Sequence, residues 1–296
     1  LTLKGRLVDG IGKVGIVGCG VMGSGIGQLC ALKGFHVTLC EKDEALLKKG
    51  LKVIEAGFAV LAKKGKINES DHIRILGSIR GTTDIKDFHE CDLVIEAVPE
   101  DLGLKKRVFM ELDGVCKGEA ILASNTSVLS VIEMARVTSR PEKVLGTHFL
   151  TPPQVNPLLE IVKTLRTSQK TLTKIVEFGE SLGKKVIVSK DSPGFVVNRI
   201  LTAVLLNAVR LLDEGVATKE DIETAVTVGL GMPMGPFGLL DLIGLDTIAM
   251  GTEALFRDLN DPQYACPLRI KRMVSAGWLG RKSGKGFYEY TPGSPG

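Results

Sequence analysis

The segment 146–162 reads GTHFLTPPQVNPLLEIV. It holds His148, one of four histidines in 296 residues, and Glu160, a carboxylate set inside the apolar run LLEIV. Burying a polar group without a partner costs roughly 2–7 kcal/mol even when it is neutral. Glu160 therefore either faces water on a strand edge or has a partner. A histidine is the partner with chemical consequence. A carboxylate bonded to one imidazole nitrogen fixes the tautomer, leaves the other nitrogen as a base, and stabilises the imidazolium once a proton arrives. Such a base suits removal of a proton from an alcohol as hydride departs.

A place for the hydride acceptor is written near the start. Residues 18–23, GCGVMG, spell G-x-G-x-x-G between an apolar run and a helical pattern. Gly18 suits the tight turn, Gly20 lets backbone approach a pyrophosphate, and Gly23 lets helix pack on strand. The pyrophosphate would rest on the helix N-terminus, where free N–H groups and the dipole favour anions. Glu41 follows Gly18 by twenty-three residues, at the end of the next apolar run. A carboxylate there accepts bonds from ribose hydroxyls and repels a 2′-phosphate, so NAD is expected rather than NADP.

Bringing residues 18, 41 and 148 together requires a frame. Residues 13–18, 36–40, 92–97, 120–124 and 144–149 are short apolar runs of the kind that form buried parallel strands. Helical patterns at 21–32, about 42–64, 101–115 and 128–135 separate them, and a turn at 68–71 caps another short helix. Alternating strand and helix predicts a Rossmann-like α/β fold, a doubly wound and mostly parallel sheet. Residues 158–163 and 185–188 read as further strands at its far edge. This ordering puts His148 at the C-terminal end of a sheet strand, where open α/β folds bind ligands. Pro152, Pro153 and Pro157 stiffen the connection that could return Glu160 to its side.

The texture changes at 190–194, KDSPG. Beyond it come helical patterns at 195–214, 219–229, 239–254 and 268–276. The expected division is a dinucleotide-binding domain over 1–190 and an all-helical domain over 191–296. The helical part carries broad apolar faces, as at 201–206 and 239–243, and leftover apolar patches usually mark interfaces.

Composition narrows the partners. With 44% hydrophobic and 24% charged residues the chain reads as an ordinary globular protein. A net charge of +4 does not point to nucleic acid and suits an acidic small molecule. The six cysteines form no C-x-x-C pair, so neither a metal site nor a disulfide framework is expected, and the thiols read as reduced and mostly buried. The uncharged run 225–240 is broken by Gly and Pro, so no membrane span is expected.

Several motifs in order carry a resemblance over about residues 13–290. They are GCGVMGSGIG at 18–27, IEAVPEDLGLKK at 95–106, ASNTS at 123–127, His148 with Glu160, DSPGFVVNR at 191–199, GMPMGPFGLLDLIGLD at 231–246 and GRKSGKGFYEY at 280–290. The chain resembles the L-3-hydroxyacyl-CoA dehydrogenases. The resemblance implies a Rossmann-like domain followed by a helical domain that dimerises, and NAD-linked oxidation of a short-chain 3-hydroxyacyl-CoA to the 3-ketoacyl-CoA. It implies His148 as base and Glu160 as its orienting partner, with Ser127 and Asn198 holding the reacting oxygens of the substrate. It further implies Glu41, Glu100 and Lys105 at the NAD site and Lys64 at the CoA moiety. The cluster Lys63, Lys64 and Lys66 would suit the phosphates of CoA. A homodimer in a bacterial cytoplasm, rather than a mitochondrial matrix, is expected.

The sequence departs from the family pattern beside the base. Thr151 stands where an asparagine is common, and Pro157 where a lysine is common. The segment resembles relatives that oxidise free hydroxy acids, such as L-gulonate or carnitine dehydrogenases. A free acid needs a cation close to His148, and 148–160 contains no Arg or Lys. A thioester needs only hydrogen bonds, so the CoA ester is the expected substrate. A non-catalytic dinucleotide-binding protein would keep the glycine loop without needing His148, Glu160, Ser127 and Asn198 together.

Overall fold

The computed structural model describes Val8 and residues 10–291. Contacts divide the chain into two units, Leu1–Ser192 and Pro193–Gly296.

The first unit is built on a sheet with strands β1 (Lys13–Val17), β2 (His36–Cys40), β3 (Ile79–Thr82), β4 (Leu93–Glu96), β5 (Ile121–Ser124), β6 (Val144–Phe149), β7 (Leu158–Lys163) and β8 (Lys185–Lys190). Their order is β3-β2-β1-β4-β5-β6-β7-β8. β3 through β6 run parallel, β7 pairs antiparallel with β6, and β8 runs parallel to β7. The inner strands are buried along nearly their whole length, which is why they read as unbroken apolar runs rather than alternating ones.

Strand order reverses between β1 and β4, so the connections leaving these two strands diverge and open a crevice at their C-terminal ends. Helices α1 (Val21–Leu32), α2 (Glu44–Lys63), α3 (Glu69–Gly77), α4 (Leu102–Val115), α5 (Val131–Ala135) and α6 (Gln169–Ser181) connect the strands. Their caps are local: Asp43, Asn68, Asp101 and Ser168 each accept a first-turn N–H. The core joins Ile16, Ile26, Phe35, Leu39, Ile54 and Phe58 with Leu145, Leu159 and Ile175. Phe35 meets Phe178 edge-to-face at 5.2 Å.

The second unit holds α7 (Val197–Asp213), α8 (Lys219–Thr224), α9 (Pro236–Ile243), α10 (Leu245–Leu259) and α11 (Leu268–Ser275). Leu205, Leu206, Val209, Phe237, Leu240, Leu245 and Ile270 form its core. The C-terminal GRKSGKGFYEY segment is fastened to it by two carboxylates. Buried Asp241 accepts the N–H groups of Phe287 and Tyr288 and the Tyr290 hydroxyl, each at 2.9 Å. Glu223 accepts the N–H groups of Phe237 and Gly238 at 3.0 Å and the Tyr288 hydroxyl at 3.1 Å.

Several elements differ from the sequence reading. The expected helix 239–254 is two helices, because Gly244 adopts φ +101° and turns the chain between α9 and α10. The helical pattern at 219–229 is an α-helix only to Thr224 and continues as one wider π turn, Ala225–Gly229. β3 and α6 carry no prior expectation. β3 is short, lies at the sheet edge and contains Gly81, so it lacks the buried apolar signature of its neighbours.

Candidate active site

The loop GCGVMG closes off β1 as its glycines require. Gly18 has φ +98°, and a Cβ there would lie 2.6 Å from the Ala97 carbonyl oxygen, so side chains are excluded where β1 and β4 part. At Gly23 a Cβ would sit 1.8 Å from the Gly18 carbonyl oxygen, which forces glycine where α1 leaves the strand. Gly20 is different: a methyl group there would meet nothing within 4 Å. The middle glycine therefore bares backbone to open space, the cradle a pyrophosphate needs. The first turn of α1 has no acidic residue and no side-chain cap.

Glu41 follows β2 and lies beside this loop. Its Oε2 accepts the Cys19 N–H at 3.0 Å and its Oε1 the Lys42 N–H at 2.9 Å. These residues fit a dinucleotide: open backbone at Gly20 would suit a pyrophosphate, and the Glu41 carboxylate beside it would suit ribose hydroxyls. Burial pushes the Cys19 thiol up to about 12, so the cysteine inside the loop is a packing residue and not a thiolate. Burial likewise raises the thiols of Cys30, Cys40, Cys91 and Cys116.

The structure brings His148 and Glu160 together. They are directly opposite in the antiparallel β6–β7 pairing, which places both side chains on one face of the sheet. His148 Nδ1 lies 3.1 Å from Glu160 Oε2, and Glu160 is fully buried. Where the carboxylate accepts at this contact, Nδ1 is the donor and Nε2 is the ring nitrogen left to act as a base. The acid inside LLEIV is thus neither at a water-facing edge nor unpaired. One strand end further in, Asn125 Oδ1 accepts the Phe149 N–H at 3.0 Å and ties the end of β5 to the end of β6.

Ser127 lies in the turn after β5, partly exposed, and its N–H donates to Glu100 at 3.0 Å. Lys105 is 1% exposed and pairs with Glu96 at 2.6 Å and Glu100 at 3.2 Å, so it meets the crevice through Glu100. Lys64 caps α2, and Lys63, Lys64 and Lys66 are exposed. Asn198 belongs to the second unit, in the first turn of α7, after Gly194 and Phe195, which both have positive φ.

Residues 13–192 match the model of the 3-hydroxyacyl-CoA dehydrogenase NAD binding domain, and residues 194–290 that of the 3-hydroxyacyl-CoA dehydrogenase C-terminal domain. The chain belongs to the 3-hydroxyacyl-CoA dehydrogenase family. It is 44% identical to a 3-hydroxybutyryl-CoA dehydrogenase of Mycobacterium tuberculosis over 95% of this chain and 99% of that one. It is 39% identical to the mitochondrial hydroxyacyl-coenzyme A dehydrogenase of Homo sapiens, over 94% of this chain and 90% of the other. The crystal structure of (S)-3-hydroxybutyryl-CoA dehydrogenase from Ralstonia eutropha superposes with a TM-score of 0.93 at 40% identity, over 95% of this chain and 99% of that one. As a 3-hydroxyacyl-CoA dehydrogenase the chain is an NAD-dependent oxidoreductase acting on a CH–OH group.

Sequence reasoning missed three residues that shape this dehydrogenase's site. Glu96 ends the apolar run DLVIE, the same signal that singled out Glu160. Asn125 lies inside ASNTS without a role of its own. Lys184, in the α6–β8 connection, is the cation that 148–160 lacks. Its buried ammonium donates to the carbonyls of Pro153 and Asn156, each at 2.6 Å, and so pins the connection between base and acid. Burial lowers the Lys184 pKa. Only the folded chain reveals this contact, because residues 153 and 184 are remote in sequence.

Proposed function

We propose that this dehydrogenase oxidises a short-chain L-3-hydroxyacyl-CoA, or reduces the ketone in reverse, with His148 and Glu160 as its acid–base pair. The observation that carries the reading is the buried 3.1 Å contact of His148 Nδ1 with Glu160 Oε2 at the ligand-binding end of the sheet. NAD, when bound, accepts hydride from the carbinol carbon. His148 Nε2 takes the hydroxyl proton, and Glu160 holds the ring and offsets the charge of the imidazolium. In the reduction the same nitrogen returns the proton to the oxygen.

We assign Ser127 and Asn198 to hydrogen bonds with the substrate oxygens, and Glu41, Glu100 and, behind it, Lys105 to the cofactor side. Lys64 and its exposed neighbours supply positive charge for the CoA phosphates. Two observations favour the thioester over a free hydroxy acid. Among the described residues, Lys184 reaches the 148–160 segment, and its ammonium is committed to two main-chain carbonyls. The similar proteins from Mycobacterium tuberculosis and Ralstonia eutropha are named for 3-hydroxybutyryl-CoA. The second unit is read as the dimerisation domain and a bacterial cytoplasm as the compartment. Free cysteines and the bacterial relatives support that compartment. No helix among the described residues is long and apolar enough to cross a membrane.

The test is NADH consumption with acetoacetyl-CoA beside free acetoacetate and keto sugar acids. The expected outcome is a higher kcat/KM on the CoA ester. A higher value on any free acid would replace this reading with that of a hydroxy-acid dehydrogenase.

A further inference from the structure

The ends of β4 and β5 hold a buried charged cluster that the acid–base pair does not use. Glu96 and Ser124 are register partners across these strands, and both are fully buried. Glu96 Oε1 accepts from Lys105 Nζ at 2.6 Å and from the Val98 N–H at 2.7 Å. Its Oε2 accepts from the Ser124 hydroxyl at 2.6 Å. The Lys105 ammonium also donates to the Val98 carbonyl at 3.2 Å and pairs with Glu100 Oε2 at 3.2 Å. Glu100 Oε1 accepts the Thr126 hydroxyl, the Ser127 N–H at 3.0 Å and the Val128 N–H at 3.3 Å.

One cation thus stands between two carboxylates of different kinds. Glu96 is sealed in the fold, whereas Glu100 is exposed and gathers three donors from residues 126–128. That gathering folds the turn that carries Ser127. Lys105 is 1% exposed and its ammonium is committed to Glu96, Glu100 and the Val98 carbonyl, so its charge reaches the crevice through Glu100. A buried ammonium held by one carboxylate alone would move toward that partner, because unpaired buried charge is costly. The 2.6 Å contact with Glu96 gives Lys105 a second carboxylate on the buried side. Burial raises the Glu96 carboxyl above its ordinary value, against the opposing pull of Lys105 and of the Ser124 and Val98 hydrogen bonds.

We propose that Glu96 is a positioning residue: through Lys105 and Glu100 it holds the 126–128 turn and so sets where Ser127 meets the substrate. The inference rests on the assignment of Ser127 to the substrate made above. Removing the negative charge of Glu96 would let Lys105 draw Glu100 away from the Ser127 and Val128 amides, and the turn would shift with it.

The test is a double-mutant cycle on the full-length enzyme, with kcat and KM for acetoacetyl-CoA and NADH and a melting temperature for each variant. Glu96→Gln keeps the shape and removes the charge. It should lower kcat by about 10–100-fold, the scale of a small misplacement at a reacting centre, while KM changes less. Ser127→Ala should lower kcat too. The pair Glu96→Gln/Ser127→Ala should be no slower than the slower single variant, because Glu96 then has no hydroxyl left to place. A purely structural Glu96 predicts losses that multiply, and multiplying losses would overturn the proposal, as would an unchanged kcat in Glu96→Gln. If Glu96→Gln does not fold, Ser124→Ala decides the matter. It loosens Glu96 without altering charge, and it must lower kcat with the same non-additivity toward Ser127→Ala. A wild-type enzyme inert on acetoacetyl-CoA would sink the substrate reading and this inference with it. An active wild type with additive variants would sink the inference alone.

Discussion

In the proposed mechanism two residues bear the proton chemistry, and each can be removed with little change of volume. His148→Gln should retain NADH binding and lose turnover by about 10²–10⁴, the usual contribution of a positioned general base. Glu160→Gln should fall in the same direction. The amide can still touch Nδ1, but it cannot stabilise the imidazolium, and its own donor competes for the wrong tautomer. Steady-state rates beside an NADH titration check both, and a wild-type rate from either variant would end the dyad assignment. Residue type and context made this pair legible in the sequence, because a carboxylate inside an apolar run demands a partner. The same signal was present at Glu96, in DLVIE, and went unread because only the fold shows which residues return to it. Its partners Lys105 and Ser124 lie nine and twenty-eight residues away, on another helix and another strand.

At the scale of elements, the loops after β1 and β5 and the β6–β7 pairing position the chemistry of the first unit. In the second unit Asp241 makes most of the contacts that fasten the chain's last motif, beside Glu223. GRKSGKGFYEY reads as part of the family signature, and the structure gives it a packing role. Gly280 and Gly286 approach Asp241 so closely that a Cβ on either would lie within 2.3 Å of it. Asp241→Ala would leave the Phe287 and Tyr288 N–H groups and the Tyr290 hydroxyl without their acceptor. At about 1–3 kcal/mol for each unsatisfied buried group, the loss should exceed about 3 kcal/mol. Calorimetry should show melting of this unit lowered by roughly 10 °C or more. An unchanged melting temperature would mean that the strap is not held this way. Strand and helix alternation was readable because buried parallel strands are unbroken apolar runs. The break at Gly244 was not, since the flanking residues continue a helical pattern and only the positive φ of the folded chain separates α9 from α10.

For the whole molecule, the second unit leaves large apolar side chains in solvent. Val228, Leu230 and Met250 are 79%, 71% and 64% exposed. With the family's helical C-terminal domain, such a surface is expected to be covered by a second copy of the chain. Sedimentation at micromolar concentration should give twice the 31.7 kDa chain mass, and a monomer would refute the homodimer.

The sequence by itself determined the class of fold and the glycine loop of the NAD-binding domain, and it singled out His148 and Glu160 as the proposed base and acid. Each depends on local quantities: apolar runs of strand length, glycines at fixed spacing, and a charge where apolar neighbours forbid one. The tertiary structure alone decided the antiparallel register that sets position 148 opposite 160, since the loop between them could have returned the strand one residue out of step. It alone showed that Lys184 pins that loop and that Lys105 lies between Glu96 and Glu100. Hydrogen bonds and ion pairs act over about 3 Å of space whatever the separation along the chain, so a motif can name one partner while only the fold supplies the other.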